Sequence, residues 1–185
     1  MKKILIIAIM PVVIVIVFVI ALGIYKFNFT NDDIYIEKGG RIDSKDASYI
    51  INGEVITLKN GLAESNIVPN SSSKTVTRYF GNDAVGDLNN DNLTDVAFLL
   101  TQDNSGSGTF YYITVALANK DGYYGLNALL LGDRISPQTT EIRNGEVIVN
   151  YAERKDGEPF TASPSLGVSR YFKVINNQLE EVDKN

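Results

Sequence analysis

Residues 86–100 read GDLNNDNLTDVAFLL. Its first half sets oxygen-bearing side chains at alternate positions, Asp87, Asn89 and Asp91, with Asp95 four residues on. Its second half, from Val96 to Leu100, is an unbroken apolar run. A run that short, bounded by turn residues, reads as a strand buried on both faces rather than as a helix. The predicted strand spans residues 93–101. Hard oxygen donors feeding directly into a buried strand point to cation chemistry at the edge of a β core.

Working outward, residues 74–80 alternate Thr75, Thr77 and Tyr79 with Val76, Arg78 and Phe80, which predicts a strand entering the acidic loop. Further upstream, Asn52-Gly53 separates residues 48–51 from residues 54–58. Asn-Gly supplies the two positive φ angles of a tight hairpin turn. Asn60-Gly61 closes the second strand, and residues 62–73, with Pro69 and the run Ser71-Ser72-Ser73, predict a loop. Downstream, strands are expected over residues 109–117, 126–131, 134–143, 146–151, 168–175 and 178–182. Pro137 limits the third of these to an edge or an irregular strand. No window beyond the N-terminus shows a helical stripe. The predicted fold class is therefore all-β, an antiparallel meander forming a small barrel or sandwich, preceded by one N-terminal transmembrane helix.

That helix comes from residues 4–25, an apolar run flanked by Lys2 and Lys3 before it and Lys26 after it. At about 1.5 Å per residue, some twenty apolar residues span a hydrocarbon core of roughly 30 Å. The run exceeds the apolar core of a cleaved signal peptide, and Ala21-Leu22-Gly23 is a poor cleavage site. Residues 1–26 are thus expected to be an uncleaved signal anchor, residues 27–46 a tether, and residues 47–185 an extracytoplasmic domain. The lysine bias places the N-terminus in the cytoplasm and the domain outside the cell membrane.

Of 17 basic residues, Lys2, Lys3 and Lys26 lie in the anchor region, so the rest of the chain, with all 22 acids, carries a net charge of −8. That excludes nucleic acid as a natural partner and is compatible with a divalent cation. The chain has no Cys and no His. Disulfides, zinc-thiolate sites and imidazole-dependent catalysis are therefore ruled out.

The acidic loop has the pattern D-x-N-x-D-N-L-T-D. It resembles the calcium loop of FG-GAP/VCBS-type extracellular β modules and, more distantly, that of dockerins. Asn92 stands where such loops turn sharply, and Asn is the residue next to Gly in tolerance of positive φ. Phe98 occupies the position where an EF-hand has a bidentate Glu, so the helix–loop–helix form is not met. The resemblance implies a structural Ca²⁺ held by the side chains of Asp87, Asn89, Asp91 and Asp95 and the carbonyl of Leu93. Asp83 is a further candidate oxygen. Without metal, the same residues would cap their own backbone as Asx turns. Beyond the loop, the segments SGTFYYITVAL, NALLLGDRI and VIVNYAER resemble a family of exported or membrane-anchored bacterial proteins of unknown function.

Other clusters read as structural. Asp133-Arg134 is expected to form an ion pair at a strand end. Tyr111, Tyr112, Tyr123 and Tyr124 alternate faces and are expected to pack across strands. Glu153, Asp156 and Glu158 sit on a turn. The expected function is a membrane-anchored binding or envelope-associated module with a calcium site, acting on an envelope protein or glycan. The alternatives are a carboxylate-dependent hydrolase and a metal-free docking domain for a neighbouring membrane protein.

Overall fold

The computed structural model describes residues 42–66, 73–106 and 108–184. The expected anchor at residues 1–26 and the tether up to residue 41 lie outside them. Among the described residues, no helix is long and apolar enough to cross a membrane. What they form is all-β: one 3₁₀ turn at Ser44–Asp46 and twelve strands. These are β1 (Ser48–Ile51), β2 (Glu54–Thr57), β3 (Leu62–Asn66), β4 (Lys74–Gly86), β5 (Asp95–Asp103) and β6 (Phe110–Asn119). They continue as β7 (Gly122–Gly125), β8 (Asn127–Asp133), β9 (Ser136–Arg143), β10 (Glu146–Glu153), β11 (Leu166–Ile175) and β12 (Gln178–Glu181).

Two sheets result. The first runs β2-β1-β8-β6-β5-β4-β3, with β7 also paired to β6; the second runs β12-β11-β10-β9. Strand β5 is the wall they share. Its Ala97 and Leu99 pack with Ile113, Val149 and Phe172 between the sheets, while Phe98 and Leu100 pack with Tyr49, Ile51 and Tyr112 on the opposite face. Both faces are buried, as an uninterrupted apolar strand requires. Ile56 of β2 and Ala63 of β3, from opposite ends of the first sheet, pack against that same second core. The first sheet is therefore curled into a nearly closed barrel, and the second covers one side of its wall.

The turns follow the sequence. Asn52 and Gly53 have φ of 52° and 84°, Asn144 and Gly145 of 52° and 72°, and Asn176 and Asn177 of 51° and 58°. Pro137 lies on β9, an edge strand. Three features differ from expectation. The fold is not a purely antiparallel meander, because β1 pairs in parallel with β8 and Ile42 bridges in parallel to Gly122. Strand β3 occupies residues expected to be loop, and its only apolar residues, Leu62 and Ala63, gave no alternating signal. Strand β4 continues to Gly86 through irregularities at Gly81, where the chain has φ of 99°. At the start, Ile42–Asp46 already belong to the packed unit: Tyr123 N donates to Ile42 O at 2.8 Å, and buried Tyr49 donates its hydroxyl to Ser44 O at 2.5 Å.

Asn127 is among the side chains that tie the sheets together, with Arg170, which donates to Leu130 O at 2.7 Å. The Asn127 amide donates to Leu179 O at 2.9 Å and accepts from Leu179 N at 2.8 Å. It satisfies the edge of β12 as a neighbouring strand would. Asn127→Ala leaves both backbone groups of buried Leu179 without that partner, and urea unfolding should show a loss of about 1–3 kcal/mol.

Candidate functional site

The acidic loop joins β4 to β5 and is braced from below. A Cβ on Gly86 would lie 2.8 Å from Ile142 Cγ2 of β9, so only glycine allows this approach. Leu88 is buried in the core between the sheets, whereas Leu93 is exposed. Asn90 and Asn92 take φ of 62° and 64°, which lets the chain reverse twice within the loop.

The candidate ligands split into two groups. Asp87, Asn89 and Asp91 turn inward on the loop's own backbone. Asp87 accepts from Asp91 N at 3.2 Å and Asn92 N at 2.9 Å. Asn89 Oδ1 accepts from Asp91 N at 3.1 Å, and Asp91 Oδ1 from Leu93 N at 2.7 Å. The Asn89 amide also donates to Asp91 Oδ2 at 2.9 Å. Asp95 stands apart as a bracket. Fully buried, it accepts from Leu88 N through one oxygen and from Ala118 N of β6 through the other, each at 2.8 Å. Among the described residues, no three acidic side chains converge in a ready-made metal cage. Asp83, the extra candidate oxygen, instead accepts the Tyr79 hydroxyl.

Burial raises the pKa of Asp95 above the usual carboxylate range; the Ala118 and Leu88 amides oppose this, and the charges of Asp91 and Asp87 add to it. The three carboxylates thus feel one another. Among the described residues, none is ion-paired with Lys or Arg. The donor set, three carboxylates and one amide oxygen, suits a hard cation. Oxygens that cap an N–H retain a second lone pair, so self-capping does not exhaust them.

The Ala118 amide is the functional group that sequence reasoning missed. It lies 23 residues beyond Asp95, and only the β5–β6 register brings the two together.

The other clusters are structural. Asp133 accepts from Arg134 through both oxygens and from Thr109 N at 3.0 Å. The Arg134 guanidinium, chiefly by hydrogen bonding, holds the Asp133 carboxyl below its ordinary range. A depressed pKa contributes stability above the unfolded value, about 3.9, and loses it as pH falls through the folded value. The stability difference between wild type and Asp133→Asn should therefore shrink on acidification below about pH 4. Tyr112 is buried, Tyr111 stacks edge-on against Phe80 at 5.2 Å, Tyr123 packs on the second core, and Tyr124 is exposed. The four share no platform. On the turn after β10, Glu158 accepts from Lys155 N at 3.1 Å.

Comparison with protein-family models, curated proteins and solved structures returned no match.

Proposed function

We propose that this chain is a single-pass membrane protein displaying a calcium-stabilised, all-β binding module on the extracytoplasmic side of the membrane. One observation carries the cation: Asp95 is buried beside two further carboxylates, with no cationic side chain paired to any of them among the described residues. Uncompensated charge in a buried setting is costly, and a divalent ion would supply the missing counter-charge. Asp87, Asn89, Asp91 and Asp95, with the Leu93 carbonyl, are the residues that would hold it. Its role is to neutralise and pin the turn that delivers β5 into the core. Coordination would use the lone pairs that the loop's Asx hydrogen bonds leave free. The anchor reading rests on residues 4–25 and their flanking lysines. The partners in keeping with it are an envelope protein or glycan.

Calorimetric titration tests the cation. Ca²⁺ should give saturable heat that Asp87→Asn weakens; no heat would sink the proposal. The self-capped loop favours a second reading, a metal-free docking domain, and the same titration separates the two. Protease added to intact cells should cleave the domain if it faces outward.

A further inference from the structure

The first sheet ends in β2 on one side and β3 on the other, and its curl brings these two ends into one groove. The strands are joined by a tight turn in which Lys59 N donates to Leu62 O at 2.9 Å and Leu62 N to Lys59 O at 3.1 Å. Beyond it they do not pair. They flank a groove of about 130 Å³ between Val55, Ile56 and Thr57 on one side and Ala63, Glu64 and Ser65 on the other.

Hydrogen-bond parity shows what faces this groove. Leu58 N donates to Ala47 O, so the Leu58 backbone turns toward β1 and, with period two, that of Ile56 does too. The N–H and C=O of Val55 and Thr57 therefore turn toward the seam. Tyr79 N donates to Gly61 O, which turns Gly61 toward β4 and leaves the backbone groups of Leu62, Glu64 and Asn66 facing the seam. Those of Val55, Thr57, Glu64 and Asn66 find no backbone partner among the described residues. Natural edges are blunted by charge, Pro, a bulge or short length; β2 is short and carries the charge of Glu54, but has no Pro, Lys or bulge. Val55 is 68% exposed, and its cross-strand partner Ile50 is 44% exposed.

We propose that this seam accepts an extended, cationic peptide strand from a partner protein. Unpaired backbone on both walls recognises an extended backbone. Val55 and Ile50 offer apolar contact. Of the nearby acids, Glu64 on the β3 wall is already paired with Lys74 at 2.6 Å, whereas exposed Glu54, which opens β2, has no ion pair among the described residues; with a net charge of −8 beyond residue 26, the complementary strand is basic. The proposal rests on the binding-module reading and does not involve the cation.

The test is residue-resolved hydrogen exchange on the full chain in nanodiscs, with acetyl-Lys-Val-Lys-Val-Lys-Val-amide as probe, run in Ca²⁺ and in chelator. The probe should slow exchange of the Val55, Thr57 and Glu64 amides by about tenfold or more. The same peptide N-methylated on alternate residues should not. Val55→Pro removes a seam-facing N–H and no ladder hydrogen bond, so it should abolish the effect. The N-methylated arm decides the matter even if that variant misfolds. No slowing at about 1 mM probe, where a contact with a dissociation constant of that order would register, overturns the proposal. Equal slowing by the N-methylated peptide or by a Glu-Val counterpart also overturns it. Slowing that grows with protein concentration alone would instead assign the seam to a second copy of this chain. If slowing appears in chelator as well, the seam stands whatever the fate of the calcium site; if it is lost in both conditions, the seam falls while the calcium titration stands.

Discussion

Phe98→Ala should lower the free energy of unfolding by about 3–5 kcal/mol. Phe98 is fully buried at the centre of β5 and fills the interior of the curled sheet. Its ring meets Tyr49 edge-on at 5.5 Å and Tyr79 at 4.9 Å. Truncation removes a large apolar surface and leaves a cavity whose walls are held by strands on every side, so collapse is limited. Aromatic contacts of this kind add about 0.5–1.5 kcal/mol each beyond area burial. A single domain typically has about 5–15 kcal/mol of stability in all, so the variant should unfold at much lower denaturant. Leu130→Ala, at an exposed position of β8, should change little and serves as the control. Chemical denaturation followed by tyrosine fluorescence checks both.

Asp95→Ala should cost about 2–5 kcal/mol for a different reason. No large cavity opens, but the Leu88 and Ala118 amides lose their acceptor. A buried N–H left without a partner costs about 1–3 kcal/mol, and two are orphaned here. Relief of the crowding with Asp87 and Asp91 offsets part of this. Asp95→Asn keeps one acceptor oxygen and should fall between the two. In chelator the pH dependence has a definite sign. Because burial raises the folded-state pKa of Asp95, its favourable contribution is complete below the unfolded value of about 3.9 and is lost as pH rises through the folded value. The gap between wild type and Asp95→Asn should therefore narrow as pH rises through that window. A gap that widens would contradict the placement of the carboxylate.

The parts of the fold legible in the sequence were those set by local chemistry. The apolar run at Val96–Leu100 announced a doubly buried strand, because a strand in contact with water on one face would alternate. Three turns rich in Asn and Gly announced themselves because few residues tolerate positive φ. Pro137, which lacks an N–H, marked an edge or an irregular strand, and the edge is what β9 forms. Features that depend on distant partners were not legible. The parallel pairing of β1 with β8 is a matter of chain path, and neither segment encodes it alone. Strand β3 forms because β4 lies beside it, not because Leu62–Asn66 favour extension. At the site, the spacing of Asp87, Asn89 and Asp91 showed that they form one turn. It did not show that Asp95 leaves that turn to bind Ala118, since the β5–β6 register decides this.

If the loop before β5 is a clasp whose charge calcium balances, Ca²⁺ should stabilise the fold. Melting the folded unit Gly40–Asn185 in excess Ca²⁺ and again in chelator tests it most directly. At Ca²⁺ about 100-fold above its dissociation constant, linkage adds about 2.7 kcal/mol. For a domain of this size that raises Tm by about 5–10 °C. Asp91→Asn should lose most of the increment. A Tm that is the same in Ca²⁺ and in chelator would contradict the claim and leave the loop as a self-capped turn.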